Sequence, residues 1–433
     1  MGTWAPTRAL GRSVSLVGVL VLLGVVLGRL DLIVLAAPFA LGAAWGLSRR
    51  PIAAPVVDVE LVQDAAAEAD EVGAVIRVAN PTGARLDLTV TRLLHSPWVR
   101  LTHGDRPYGT DLAVGQATEI RLAGPALRWG RQSVGPAQTY AIACDGLLLC
   151  EPVRGDGGRV RIHPRMPDFR AVETIPRASA LVGVHRSRRP GEGGELAGVR
   201  RYSPGDRLRR VDWRVTLRTR EPYVVQTLSD RDAEVVVLLD VLDEAGVSGG
   251  IHGAASVVDT SVRAAAAITE YYLRQGDRVG LLEFSGHPRH LRAAGGRRQL
   301  ILASEWLLST RATEGAADPP RFGIDPRLVP GTALVVVLTP MLDPRSAEMV
   351  ATLSRAGRVV IAVDTLGELV RQPVAGSGWT SVAQGLWRLE RENMIGALRE
   401  VGVPVTPWLG AGSLDHVLRD LARMAAAPRV VVR

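Results

Sequence analysis

The sequence predicts a multi-domain chain: an N-terminal transmembrane helical hairpin (residues 1–50), a β-sandwich (51–167), an arginine-rich connector (168–230) and an α/β domain built on a parallel sheet (231–433). Three observations carry this prediction. Two uncharged apolar runs, Ser13 to Gly28 and Leu32 to Leu47, lie almost end to end. Short apolar stretches then alternate with turn residues from Pro51 to about Pro167, with no helical period of useful length. Beyond residue 231 apolar strand-like runs alternate with helix-like segments, the pattern of a parallel sheet covered on both faces.

Each apolar run is slightly short of a full span, and local thinning with interfacial flanks lets such a helix cross. Arg8 and Arg12 precede the first run and Arg49 and Arg50 follow the second, so the positive-inside bias places both ends in the cytoplasm. A cleaved signal peptide is the alternative, but no A-x-A context follows the first run and the second run would be left unexplained. The expected location is the cell membrane, crossed twice, with the remaining domains facing the cytoplasm.

In the sandwich region strands are expected at Val56 to Val62, Val72 to Val78, Asp87 to Arg92, Thr118 to Leu122, Ser133 to Val134, Thr139 to Ala143 and Arg159 to Ile162, with a strong turn at Asn80-Pro81-Thr82-Gly83. Cys144 and Cys150 are too few for a disulfide framework or a cysteine zinc site, and are expected as reduced, buried thiols. In the last domain strands are expected at Val235 to Asp240, Val279 to Phe284, Ala333 to Leu338, Val359 to Val363 and Val403 to Val405. Helices are expected at Val258 to Gln275, Arg298 to Leu308, Arg345 to Arg355, Glu390 to Val401 and Leu414 to Ala426.

Composition narrows the chemistry. The 433 residues are 47% hydrophobic with 52 basic and 44 acidic side chains, and every basic one is arginine. Without lysine there is no Walker A phosphate loop, no Schiff base and no protein-kinase catalytic lysine. Residues 186 to 220 hold eleven arginines against Glu192, Glu195, Asp206 and Asp212, so the positive balance is concentrated there and at the N-terminus.

The most unusual segment runs from Gly198 to Arg218. Pro204-Gly205-Asp206 is a tight turn, and Asp206 and Asp212 are the only carboxylates among seven arginines between residues 200 and 218. In the structural reading the two carboxylates fork into salt bridges with Arg201, Arg210 or Arg218, and Tyr202 and Trp213 act as packing anchors. In the functional reading the segment is a docking face for an acidic partner or anionic lipid. A nucleic-acid surface using Arg186, Arg188, Arg189 and these arginines is disfavoured, since stacking aromatics are scarce and no recognition module is present.

The pattern Arg201-x2-Pro204-Gly205-Asp206-x3-Arg210-x-Asp212-Trp213-x4-Arg218, followed by Val224 and Val225 and by a strand ending at Asp240, resembles the signature of the domain-of-unknown-function 58 family. The N-terminal hairpin, Asn80-Pro81, Arg128-x-Gly130-Arg131 and Val134-Gly135-Pro136 extend the resemblance. Asp145-Gly146-Leu147 stands where the family usually has Asp-Pro-Phe-Gly-Leu. The resemblance implies a C-terminal doubly wound domain like those of von Willebrand factor A, a frequent genomic association with MoxR-type AAA+ ATPases, and no established enzymatic activity.

A von Willebrand A domain holds a divalent cation through Asp-x-Ser-x-Ser at a strand end, a loop threonine and a later aspartate. Here Asp240 is in place, but the serine positions are Leu242 and Glu244. Thr313 stands for the loop threonine, and the later aspartate position falls at Thr339-Pro340, with Asp343 just beyond. Leucine offers no oxygen to a hard cation, so the degenerate set Asp240, Glu244 and Thr313 predicts no bound metal and no other cofactor. Gly246-Val247-Ser248-Gly249-Gly250 matches the G-x-S-x-G of serine hydrolases, but Ser248 lies eight residues past the strand end, outside the strand-turn-helix context such an elbow needs. His287 and His290 have metal-like spacing without a third ligand nearby and are expected in a solvated loop. The expected function is therefore a non-enzymatic membrane-anchored adaptor that presents its last domain to a cytoplasmic protein, with a metal-dependent interaction module as the alternative.

Overall fold

A computed structural model describes residues 3–165, 190–203, 211–228, 234–312, 324, 328–331, 333–366 and 378–410. The chain divides into two compact units, residues 1–165 with Gly250–His252, and the remainder.

In the first unit, strand β1 (Trp4–Pro6) leads into α1 (Arg8–Val26) and α2 (Leu30–Ser48). Thr7 caps α1 by accepting the Leu10 N–H. Both helices are long and apolar enough to cross a membrane. Their large side chains, among them Val19, Leu22, Val26, Val34, Leu41 and Trp45, are exposed along most of the length, which suits lipid rather than a protein core. The two helices approach closely at Gly24, where an added Cβ would lie 2.7 Å from Ile33 Cγ1. Arg29 and Asp31 pair at 2.7 Å across the turn that separates them.

The rest of this unit is two sheets packed face to face. The smaller is antiparallel, in the order β2 (Val56–Leu61), β4 (Glu71–Ala79), β7 (Ala117–Pro125), and β3 (Ala65–Ala67) joins the larger sheet. The larger also holds β5 (Leu86–His95), β6 (Tyr108–Leu112), β8 (Gly130–Ala143), β9 (Leu148–Cys150), β10 (Val153–Gly155) and β11 (Gly158–His163). Alternate residues such as Ile76, Val78, Leu86, Val134, Ala141 and Ile162 fill the shared core. Asn80, 1% exposed, ties the expected turn together: its Nδ2 donates to the carbonyls of Ala84, Leu112 and Ala113, and its Oδ1 accepts from the Thr82 hydroxyl.

One expectation here is corrected. The stretches at Ser133 to Val134 and Thr139 to Ala143 are a single strand, β8, because Gly135-Pro136 falls at a bulge where β5 pairing shifts between Leu93 and His95 and the missing proline N–H breaks no ladder bond.

The helical hairpin is built into this unit. Strand β1 pairs with β9, the Thr7 N–H donates to Leu147 O at 2.9 Å and the Thr7 hydroxyl to Gly146 O at 2.8 Å. At the far end of α2, a Cβ on Gly46 would lie 3.1 Å from Cys144 O. The start of one helix and the end of the other therefore seat on the same turn, Cys144–Leu147. Cys144 and Cys150 are free and buried, and burial pushes both thiols above their ordinary range.

The second unit begins with a two-stranded antiparallel ribbon, β12 (Pro190–Arg201) and β13 (Tyr223–Leu228), with helix α3 (Trp213–Thr219) between them. The connector thus carries regular structure that its arginine and glycine content conceals. The six-stranded sheet follows in the order β16 (His290–Ala294), β15 (Arg278–Phe284), β14 (Glu234–Asp240), β17 (Leu334–Thr339), β18 (Val359–Asp364), β19 (Val405–Pro407). All neighbours are parallel except the edge strand β16. Counting strands within the domain, the order is 3-2-1-4-5-6, with the chain reversing direction of growth beside β14.

Helices α4 (Val257–Arg274), α5 (Gly296–Leu307), α6 (Pro344–Arg355) and α7 (Gly378–Glu400) connect these strands. Val236, Leu238, Val335, Val337, Val360 and Ala362 share one core with Met349 and Val350 of α6 and Met394 and Leu398 of α7. The alternate residues Val235, Val237, Leu239, Leu334 and Val336 are equally buried, beneath the face that α4 packs against. A Ser256–Asp259 capping box starts α4.

Two further differences from expectation have clear causes. Strand β16 contributes alternating exposed and half-buried residues, so its apolar signal is weak, as edge strands commonly are. It also takes His290 out of the expected loop. Helix α7 begins twelve residues before the expected Glu390, because its first turns are apolar on a face that no core covers. The expected helix Leu414 to Ala426 lies outside the described residues.

Candidate functional site

The parallel strands bring Asp240, Thr339 and Asp364 to one edge of the sheet, where open α/β sheets bind their ligands. Asp240 is 2% exposed. Its Oδ2 accepts from the Thr339 hydroxyl at 2.6 Å and its Oδ1 from the Leu242 N–H at 3.3 Å, while Thr339 in turn accepts from the Met341 N–H. Burial pushes the Asp240 carboxyl above the usual carboxylate range, against the hydroxyls of Ser346 and Thr339 and the Leu242 amide, which favour its charged form.

Beside it, Asp343 caps α6 by accepting from the Arg345 N–H at 2.8 Å, and its two oxygens take the Arg345 guanidinium at 2.9 and 2.8 Å through Nε, with a further contact through Nη2. The guanidinium holds Asp343 below the ordinary carboxylate range. Asp243 is raised, first by burial and then by Asp343, with Arg345 opposing. Arg345 therefore answers Asp343 directly and reaches Asp243 and Asp240 electrostatically.

A second pair closes the next strand end. Arg391 Nη2 lies 2.5 Å from Asp364 Oδ1, with side chains only 7% and 13% exposed, and Arg391 Nε donates to Pro340 O at 3.1 Å. On the other side of the sheet Arg289 grips Glu283 through Nε at 2.7 Å and lies 4.5 Å from the Trp306 ring centroid. In the His287-Pro288-Arg289-His290 segment the arginine, and neither histidine, is the residue that organises its surroundings.

The residues do not fit a divalent cation of the kind the resemblance implies. Leu242 is buried in the apolar core, and Glu244 caps α4 by accepting from the Val258 N–H at 3.2 Å. Thr339 is committed to Asp240, and Thr313 lies outside the described residues. Among the described residues no three His, Cys, Asp or Glu side chains converge as a metal set. Ser248 stands in irregular chain well short of α4, so the strand-turn-helix elbow of a serine hydrolase is not formed there.

The signature residues are arranged differently from the salt-bridge reading. Asp212 is the N-cap of α3, its Oδ1 accepting from the N–H groups of Arg214 and Val215, and among the described residues it pairs with no arginine side chain. Arg201 pairs with Glu221 at 3.0 Å, and Tyr202 donates its N–H to Pro222 O. These bonds hold α3 against the ribbon while leaving no α3 residue buried; Trp213 is 65% and Leu217 77% exposed, and Arg218 is exposed beside them. Trp213 is therefore not a packing anchor. Pro204, Gly205, Asp206 and Arg210, like Arg186, Arg188 and Arg189, lie outside the described residues.

A feature that composition did not single out is the N-terminal half of α7. The turns of α7 before Arg391, which pairs with Asp364 at a strand end, span roughly 18 Å at 1.5 Å per residue. Along that arm Trp379, Val382, Leu386 and Leu389, spaced 3-4-3, are 51–82% exposed. The spacing was available in the sequence, but Gly378 at the helix start masked it. In the first unit, Arg128 of the Arg128-x-Gly130-Arg131 motif lies over the rings of Trp98 and Trp129, at 5.1 and 5.5 Å.

Residues 198–371 match the family described as protein of unknown function DUF58. Uncharacterized proteins of Mycobacterium tuberculosis and Mycobacterium bovis are 40% identical over 106 residues, which is 24% of this chain; the match spans only about a third (32%) of each relative. Among solved structures, a chain from the complex of zinc 2-glycoprotein and prolactin inducible protein from human seminal plasma aligns with 26% of this chain and 96% of its own at 14% identity and a TM-score of 0.20. The C-terminal domain of wzt aligns with 30% of this chain and 91% of its own at 12% identity and a TM-score of 0.18. Structural likeness of that size bears on neither fold nor function.

Proposed function

We propose that this protein is a non-enzymatic adaptor anchored in the cell membrane by its helical hairpin, with its other domains in the cytoplasm, and that its last domain is a doubly wound sheet of the von Willebrand A type that engages a protein partner. The observation that carries the reading is the α7 arm. Four large apolar side chains stand uncovered beside the edge where open parallel sheets take their ligands. A face of that kind, with 3-4-3 spacing, suits a partner groove or helix rather than a small molecule. The exposed Trp213 and Leu217, flanked by Arg214 and Arg218, add a second contact surface for an acidic protein.

Several features support a scaffold role. The edge itself is occupied by pairs between the chain's own side chains, and the serine and histidine motifs lack the geometry of catalysis. The hairpin is hydrogen-bonded to the β-domain at its start and packs closely on it at the end of α2, which suits a platform held at a bilayer. A MoxR-type AAA+ ATPase is the partner that the resemblance to the domain-of-unknown-function 58 family suggests.

Co-purification of the full-length protein from its native membrane tests the proposal. Wild type is expected to retain an AAA+ ATPase, detected by ATP hydrolysis and peptide identification. A Trp379→Ala, Leu386→Ala double variant is expected to lose it while keeping its melting temperature. Recovery of no ATPase with wild type, or equal recovery with the variant, contradicts the reading.

A further inference from the structure

We propose that the guanidinium of Arg345 takes the place of a divalent cation at the carboxyl edge of the parallel sheet, so that this edge is assembled and functions without metal. Three carboxylates border that edge, although among the described residues they do not form a metal-binding set. Asp240 ends the central strand, Asp243 follows it in the next loop, and Asp343 opens α6. Neighbouring carboxylates repel one another, and a nearby positive charge relieves that repulsion.

That charge comes from Arg345. Its Nε reaches both oxygens of Asp343 and its backbone N–H donates to the same carboxylate. It also lies near enough to Asp243 to oppose the upward shift of that carboxyl. A guanidinium suits this position because it cannot lose its proton and presents donors in a fixed planar fork. Oxygen ligands that a metal would use are meanwhile absent or committed elsewhere: Leu242 is apolar and buried, Glu244 caps α4, and Thr339 donates to Asp240. A metal entering beside Arg345 would meet a like charge as well as an incomplete oxygen shell.

The inference shares the sheet domain with the proposed function but needs no partner. Its test reads cation binding, whereas the adaptor reading is tested by recovery of a protein, so the two fail separately.

The experiment uses full-length protein in detergent micelles. Thermal melting is followed with magnesium, with manganese and with chelator, and bound manganese is measured by paramagnetic resonance. Wild type is expected to melt at the same temperature in all three and to bind no manganese at the edge. Arg345→Ala and Arg345→Gln, which leave the carboxylates without their cation, are expected to gain a manganese-dependent rise in melting temperature. Their manganese affinity should be at least about tenfold tighter than wild type, equivalent to about 1.4 kcal/mol, and should be abolished by adding Asp343→Asn.

Arg345→Lys, which keeps the charge and loses the fork, is expected to stay folded and indifferent to metal. Variants that fold only when manganese is supplied would also support the proposal. It is overturned if wild type gains stability from a divalent cation in a manner lost in Asp240→Ala, or if the lysine variant binds manganese. It is equally overturned if the alanine and glutamine variants gain no manganese binding, or fail to fold with manganese present.

Discussion

The arginines of the carboxyl edge and those of the ribbon and α3 segment are chemically identical, yet their surroundings give them opposite roles. Arg391, Arg345 and Arg289 each meet a carboxylate that is largely withdrawn from water, and Arg391 and Arg289 each also touch a second group, Pro340 O or the Trp306 ring. Arg201 meets Glu221 with both side chains well exposed, and Arg214 and Arg218 project from a helix that buries nothing. An ion pair in water is screened and contributes little, whereas removing one partner of a desolvated pair strands the other. The lysine-free composition therefore serves two purposes, fastening strand ends in one region and offering an unspent positive surface in the other.

The largest effect expected from this contrast is at Arg391. Arg391→Ala leaves Asp364 nearly buried without its counter-charge and should cost about 3–5 kcal/mol of stability in chemical denaturation. Arg289→Ala should cost less, about 2 kcal/mol, because its side chain is partly exposed and Glu283 can recover some hydration. At the other end of the scale, Arg201→Ala should change stability by less than about 1 kcal/mol, since both partners already face solvent. An Arg201 effect as large as that of Arg391 would break the comparison.

Acidity sharpens it further, with two opposite signs at one edge. The folded state holds Asp343 below its unfolded pKa, so its contribution is present above the ordinary carboxylate range and is lost as pH falls through the folded value. Arg345→Gln should remove that acid-side loss. Asp240 is raised on folding, so the folded state binds its proton more tightly, and its contribution declines as pH rises above the ordinary carboxylate range toward the folded value. Asp240→Asn should flatten that decline, measured as denaturation midpoint against pH.

Much of the architecture was legible because burial on both faces leaves a continuous apolar run: Val235 to Asp240, Val279 to Phe284 and Val359 to Val363 each mark a strand within a residue or so. The two N-terminal helices were legible for a similar reason, as long uncharged apolar runs. What escaped notice depends on partners distant in sequence. Thr339 becomes a partner of Asp240 only when parallel pairing sets two strand ends side by side, and Arg391 becomes one of Asp364 only when α7 folds back over the sheet.

In the signature segment Asp212 is surrounded by arginines in sequence, and its Oδ1 accepts from two backbone N–H groups at a helix start, a role that the charge pattern did not single out. The pairing of β1 with β9 joins positions nearly 150 residues apart through a three-residue strand, too short for any periodic signal.

The division between fastened and available arginines is tested most directly by a pair of double-mutant cycles measured side by side, Arg391 with Asp364 and Arg201 with Glu221. The buried pair is expected to show a coupling of about 3 kcal/mol and the exposed pair less than about 1 kcal/mol. Equal couplings, or a larger one for Arg201 and Glu221, would contradict the account.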